Sequence, residues 1–239
     1  MIFLGYFKTN GQSVNPTADS SKLIIIQGKN NFIKSIDLTP EKSMYDIKSI
    51  SKIKLDLKYS SSDNFMHKKL YPKIRTTYLR KRTLTNLYNA EQEFLKKNLT
   101  LKIWDAYRPY SVTKKMWDEI KDERYVADPK LGSGHNRGIA VDLTLIDLET
   151  GNELNMGTSF DNFTDTAHSD FKYLPEDVLS NRKLLRDVME SNGFKNLPTE
   201  WWHFFIPNID KDEVLDLSFR DLRNISGKFI FPKKPKDLQ

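Results

Sequence analysis

Residues 139 to 146 read Ile-Ala-Val-Asp-Leu-Thr-Leu-Ile, and Asp142 is the only charge among them. An apolar run of this length is the pattern of a buried strand. A carboxylate inside such a strand is costly unless something answers its charge. An arginine or lysine partner would answer it, and so would a set of backbone amides. A metal ion is the third possibility. Whatever fold the chain adopts must therefore bury this strand and bring a partner to Asp142.

The rest of the chain supplies elements of both kinds. Ile53, Leu55, Leu57 and Tyr59 alternate with Lys54, Asp56 and Lys58, which predicts a half-buried strand closed by a turn at 60–64. Leu84, Leu87, Tyr88, Phe94 and Leu95 recur at helical spacing and predict a helix over about 75–97. Leu99, Leu101 and Ile103 alternate again and lead to Trp104-Asp105. Val112, Met116, Trp117 and Ile120 predict a short helix, and residues 178–192 a longer one that stops at Gly193. Residues 201–206 read as a final strand. Short strands are expected at 23–26 and 32–36, and a loop between Thr9 and Ser21. The Lys/Pro-rich end of the chain reads as loosely held. The mixed order of elements predicts an α+β fold, a single domain with helices packed on a mostly antiparallel central sheet. The expected division is an N-terminal segment of unassigned role (1–50), a catalytic domain (51–210) and a C-terminal extension (211–239).

Composition removes whole classes of function. The chain has 239 residues and no cysteine, so disulfide scaffolds, Cys-ligated zinc, iron–sulfur clusters and thiol nucleophiles are excluded. Lys plus Arg number 38 against 32 Asp plus Glu, a net charge of +6 with no basic stripe, which does not point to nucleic acid. No stretch approaches the roughly 18 apolar residues of a membrane span. The apolar run at the N-terminus is too short for a signal-peptide core, so a cytoplasmic location is the expectation.

There are four histidines, and two keep unusual company. His135 lies seven residues before Asp142, and the intervening Gly138 allows a loop in which the two converge. His203 follows Glu200-Trp201-Trp202. Two histidines and one carboxylate leave the fourth position of a tetrahedral Zn²⁺ open for water, the layout of a catalytic site. Glu200, three residues before His203, is then a nearby carboxylate that is not a ligand and can shuttle a proton. The plain alternative for each histidine is a hydrogen-bonded structural residue.

The segments Ser133-x-His135-x-x-Gly138-x-Ala140-x-Asp142 and Glu200-Trp201-Trp202-His203 resemble the two signatures of the zinc D-alanyl-D-alanine dipeptidases, the VanX-type peptidases. Further segments agree in order: Asp56-Leu57-Lys58-Tyr59 with Asp63-Asn64-Phe65, then Trp104-Asp105-Ala106-Tyr107-Arg108-Pro109, then Met156-Gly157-Thr158-x-Phe160-Asp161. The resemblance covers about 53–206. His168 falls where the family has a Ser-His pair, but Ala167 precedes it here.

The resemblance implies that His135, Asp142 and His203 hold one Zn²⁺ per chain and that Glu200 is the general base and then the acid. It implies that Arg108 stabilises the oxyanion, a task suited to a guanidinium that keeps its proton. Asp161, Ser133 and Tyr59 would receive the ammonium group of a D,D-dipeptide. Trp201 and Trp202 are expected to pack around the site, His67 to lie on the surface, and His168 to be structural. The implied activity is hydrolysis of D-alanyl-D-alanine in peptidoglycan metabolism. A D,D-carboxypeptidase or an L-alanyl–D-glutamate endopeptidase on the same zinc fold is the alternative. A metal-stabilised binding module is disfavoured because Glu200 and Arg108 are both present.

Overall fold

The computed structural model describes residues 23–207 and 212–231. In chain order they form β1 (Ile25–Gln27), α1 (Lys29–Leu38), β2 (Met44–Asp46), β3 (Lys54–Leu55) and β4 (Tyr78–Arg80). Next come α2 (Lys81–Leu95), β5 (Leu99–Asp105), α3 (Tyr110–Ile120), β6 (Ala140–Asp147) and α4 (Glu176–Ser191). The last elements are β7 (Lys195–Leu197), β8 (Glu200–Phe205), β9 (Val214–Asp216) and α5 (Phe219–Ile225).

The alternating run at 99–103 forms β5, and the apolar run around Asp142 forms β6, buried along all but its last residue. They are neighbours in a five-stranded sheet of order β3-β5-β6-β8-β7. β3 runs parallel to β5, and the other pairings are antiparallel. This is the mostly antiparallel α+β arrangement that the sequence predicts. Helix α2 buries Leu84, Leu87, Ala90 and Phe94, spaced three or four apart, against β5 and α4. Helix α4 carries Glu176 and Asp177 in its first turn, where acidic groups meet the positive end of the helix dipole. Its exit runs through Gly193 at φ 84°, left-handed backbone that favours glycine.

A second cluster of buried residues forms another core. Phe32 of α1, Met116 of α3, Leu215 of β9 and Phe219 and Leu222 of α5 pack around Tyr59, Tyr71 and Tyr107. The Tyr107 hydroxyl accepts from Leu217 N at 2.8 Å and reaches Leu217 O at 3.0 Å. That buried tyrosine fastens the segment after β8 to the end of β5. β1 pairs with β9, and β2 with β4, as two small separate sheets.

Three local expectations are corrected. The segment 32–36 is helical, inside α1: Phe32 and Ile36 stand four residues apart, so both face the second core. The strand expected from 53 to 59 is confined to Lys54–Leu55, because the chain turns into a 3₁₀ segment at Lys58–Ser60 that buries Tyr59. The helix expected from 75 begins at Lys81, because Tyr78–Arg80 find a strand partner in Met44–Asp46, distant in sequence. The loop expected between Thr9 and Ser21 lies outside the described residues, as does the chain beyond 231.

Candidate active site

Strand register assembles the centre of the site. Across three adjacent strands Asp105 of β5 stands opposite Asp142 of β6, and Asp142 opposite His203 of β8. His135 arrives from a 3₁₀ turn, His135–Arg137, that closes through Gly138 at φ 69°. A Cβ on Gly138 would lie 2.7 Å from the side chain of Met44, so both the backbone angle and the space call for glycine. Asn136 clamps this turn. Its amide nitrogen donates to Arg108 O at 2.9 Å and to Thr113 Oγ1 at 2.8 Å, and its oxygen accepts from Ser133 N at 2.9 Å.

The three predicted ligand residues converge. His135 Nε2 lies 3.2 Å from His203 Nδ1 and 3.3 Å from Asp142 Oδ2, and His203 Nδ1 lies 2.9 Å from Asp142 Oδ1. All three ligand atoms fall within 4.8 Å of one another. His135 Nδ1 is 2.7 Å from the Ala106 carbonyl, which can only accept, so Nδ1 donates there and Nε2 is the nitrogen turned toward Asp142. Nε2 faces a carboxylate oxygen at 3.3 Å, so either a proton or a metal ion has to stand between them. Ligands bound at about 2.0–2.1 Å to a tetrahedral ion lie roughly 3.3 Å apart, close to these separations. The donor set and its spacing therefore fit a divalent metal ion such as zinc.

The remaining predicted residues gather round the same cavity, about 250 Å³ in volume, which Tyr59, Arg108, Ser133, Asp161, Glu200 and Trp202 help to line. Glu200 Oε2 is 3.8 Å from His203 Nδ1. Burial, reinforced by the negative charges of Asp142 and Asp161, holds the Glu200 carboxyl well above its usual range. Asp142 behaves in the opposite way. Burial alone would raise its pKa, but the His135 and His203 imidazoles outweigh that and hold it well below the ordinary value. Arg108 Nη2 is 3.8 Å from Asp142 Oδ2, and its guanidinium lies 5.0 Å from the centre of the Tyr59 ring.

Asp161 returns to the site by a hairpin. The chain turns at Gly151 (φ 74°), Leu154 N bonds back to Leu145 O, and Asp161 is reached with its own φ at 58°. The Tyr59 hydroxyl donates to Asp161 Oδ1 at 3.0 Å, and Phe65 N to Oδ2 at 3.4 Å. Burial first, and then the charge of Asp142, push the Asp161 carboxyl up to about 7. Ser133 Oγ accepts from His135 N at 3.2 Å, so it supports the ligand turn while lining the cavity. Trp201 and Trp202 are buried, with Trp201 Nε1 donating to Thr158 Oγ1 at 2.7 Å.

Two histidines stay apart. His67 is exposed, and His168 is half-buried near Asp165 with its carbonyl accepting from Arg182. Tyr71, Asp105 and Asn136 also contact site residues, although no role for them follows from the sequence pattern. Asp105 sits inside the segment quoted for Arg108, so its position was visible. Tyr71, 34 residues away from its partner Asp105, carried no local signal.

Residues 41–221 match the family model described as D-ala-D-ala dipeptidase, Peptidase_M15, a span that contains every residue described in this site. The chain is similar to a protein of Escherichia coli named D-alanyl-D-alanine dipeptidase, 38% identical over 155 residues, 65% of this chain and 79% of that one. It is also similar to proteins of that name from Enterococcus faecalis and Enterococcus faecium. The first is 30% identical over 171 residues (64% of this chain and 85% of that one). The second is 29% identical over 194 residues (71% and 91%).

Proposed function

Because this chain belongs to the D-ala-D-ala dipeptidase family of peptidases, we propose that it hydrolyses D-alanyl-D-alanine, or a closely similar small D,D-dipeptide, to free amino acids. The observation that carries this reading is the convergence of His135, Asp142 and His203 within 4.8 Å, with the Glu200 carboxylate 3.8 Å from His203. His135, Asp142 and His203 would hold one Zn²⁺. When bound there, the ion supplies Lewis acidity, polarising the scissile carbonyl and acidifying water.

The protein's own groups would do the rest. Glu200 takes a proton from the attacking water and returns it to the nitrogen of the departing amine. Arg108 meets the negative charge that develops on the carbonyl oxygen. Asp161, with Tyr59 and Ser133 beside it, receives the ammonium group of the dipeptide. A longer peptide would place an uncharged amide against that half-buried carboxylate, which selects for dipeptides.

The partner proposed is the small-molecule dipeptide. We place the activity in the cytoplasm, where such a dipeptide is met as a wall precursor; cell fractionation checks this. Among the described residues, no helix is long and apolar enough to cross a membrane.

The test is to incubate zinc-loaded protein with D-alanyl-D-alanine and, separately, with a muropeptide, and to analyse the products. Release of D-alanine from the free dipeptide alone is the expected result. Release from the muropeptide instead would favour the carboxypeptidase or endopeptidase reading.

A further inference from the structure

Arg108 is the one arginine within 4 Å of Asp142 among the described residues, and something must hold it there. Its Nε lies 2.9 Å, and its Nη2 2.8 Å, from Asp105 Oδ2. Both of these groups donate, so one side of the guanidinium is committed to Asp105. The other oxygen of Asp105 accepts from the Tyr71 hydroxyl at 2.9 Å. Asp105 and Tyr71 are both buried, and neither lines the cavity that Arg108 lines.

The backbone explains why Asp105 is in place. The ladder between β5 and β6 shifts register between Ile103 and Asp105. In a regular ladder Trp104 would stand opposite Asp142. The bulge gives that position to Asp105, and bulges of this kind re-aim side chains beside active sites. Tyr71 is also tied to the other end of the cavity: its N–H donates to the Tyr59 carbonyl at 2.9 Å, while the Tyr59 hydroxyl holds Asp161.

We infer that Asp105 and Tyr71 are positioning residues that orient the Arg108 guanidinium toward the developing oxyanion, with Tyr71 acting through Asp105. The inference rests on the proposed role of Arg108. Asp105 restricts a long, flexible side chain to one orientation, so its charge arrives already aimed when the carbonyl oxygen becomes negative. Tyr71 fixes Asp105 in turn by taking its second oxygen. Because Tyr71 and Tyr59 are joined through the backbone, the groups proposed for the ammonium and for the oxyanion share one support.

A double-mutant cycle with a spectroscopic arm tests this. Tyr71→Phe removes one hydroxyl and leaves the aromatic packing, so it is the mild variant; Asp105→Asn is the severe one. In Tyr71→Phe, kcat on D-alanyl-D-alanine should fall about tenfold, with KM and zinc content unchanged, a loss equal to about 1.4 kcal/mol. Asp105→Asn should cost more, within the roughly 10–100-fold seen when partners of site residues are removed. In an Arg108→Ala background, the Tyr71→Phe change should lose its effect on kcat. In ¹⁵N-labelled protein the Arg108 Nε–H resonance, identified by its loss in Arg108→Lys, should shift and exchange faster with water in Tyr71→Phe. An equal kcat loss in both backgrounds, or an unmoved resonance, would overturn the inference. If the unmodified enzyme fails to cleave the dipeptide, the dipeptidase reading fails, while the resonance still decides whether Tyr71 and Asp105 position Arg108.

Discussion

Two carboxylates are buried against strand β5, one near each end, and they have opposite surroundings. Near the start of the strand, Glu91 of α2 accepts from Thr100 Oγ1 at 2.7 Å and Leu101 N at 3.0 Å. No ion pair reaches it among the described residues. Burial pushes its carboxyl up, and those two donors only partly offset the effect. At the far end of the strand, burial would raise the Asp142 carboxyl, but two imidazoles outweigh it and hold the carboxyl down, and the Arg108 guanidinium lies 3.8 Å away. Both acids are almost wholly buried, at 0% and 2% exposure, so burial alone does not distinguish them. The difference is in what faces each group. Two neutral donors make a latch between helix and strand; converging imidazole nitrogens around a carboxylate make a group that could hold a metal ion.

The largest expected effect breaks that group itself. His203→Ala leaves two ligands, which seldom hold zinc, so both metal and turnover should disappear. Metal analysis of the purified variant checks this, and full occupancy would remove His203 from the ligand set.

Next in size is the acid beside that group. Glu200→Ala should retain zinc and fold yet lose at least ~10²-fold in kcat, the lower end for a general acid–base group. Steady-state kinetics at saturating dipeptide read this loss, and near-normal turnover would leave Glu200 a packing residue.

The smallest effect belongs to the latch. In Glu91→Gln the amide oxygen can still accept from Leu101 N, and the amide nitrogen can donate to Thr100 Oγ1. Turnover should therefore stay within about twofold, equivalent to roughly 0.4 kcal/mol. The comparison sharpens with pH. A carboxyl whose folded pKa is raised above its unfolded value keeps its proton longer in the folded state. Wild-type stability is then lost as pH rises through the window above about 4.5. The Gln variant has no such titration, so denaturant melts should show it gaining on wild type from pH 4 to 7. A constant gap across that range would mean that Glu91 is not held in this way.

The same pair shows what a sequence can reveal. Asp142 was legible because it interrupts an apolar strand, and His135 and Glu200-Trp201-Trp202-His203 because they sit in compact clusters. Strands β5, β6 and β8 and helices α3 and α4 were legible from periodicity. Glu91 was silent, since a glutamate in an amphipathic helix reads as one more solvated charge. Tyr71 was silent for a different reason: its partner lies 34 residues away, and a single tyrosine carries no pattern. Strand β4 was absorbed into a predicted helix because its partner β2 lies far back in the chain. Local patterns report faces and periods, whereas partners brought by long-range pairing leave no local trace.

The central claim is that this cavity recognises a free dipeptide by its ammonium group. Asp161, held by Tyr59 and Phe65 at the wall of the cavity, would pair with the substrate ammonium. A charge-assisted bond of this kind contributes about 1.5–3 kcal/mol. N-acetylation removes the charge and leaves the half-buried carboxylate without a cationic partner, so the penalty should reach at least ~10²-fold. The direct measurement is kcat/KM of the zinc-loaded enzyme on D-alanyl-D-alanine and on its N-acetyl derivative, repeated with Asp161→Asn. The account predicts strong preference for the free dipeptide in the unmodified enzyme and a much smaller preference in the variant. Equal rates on the two substrates with the unmodified enzyme would contradict it.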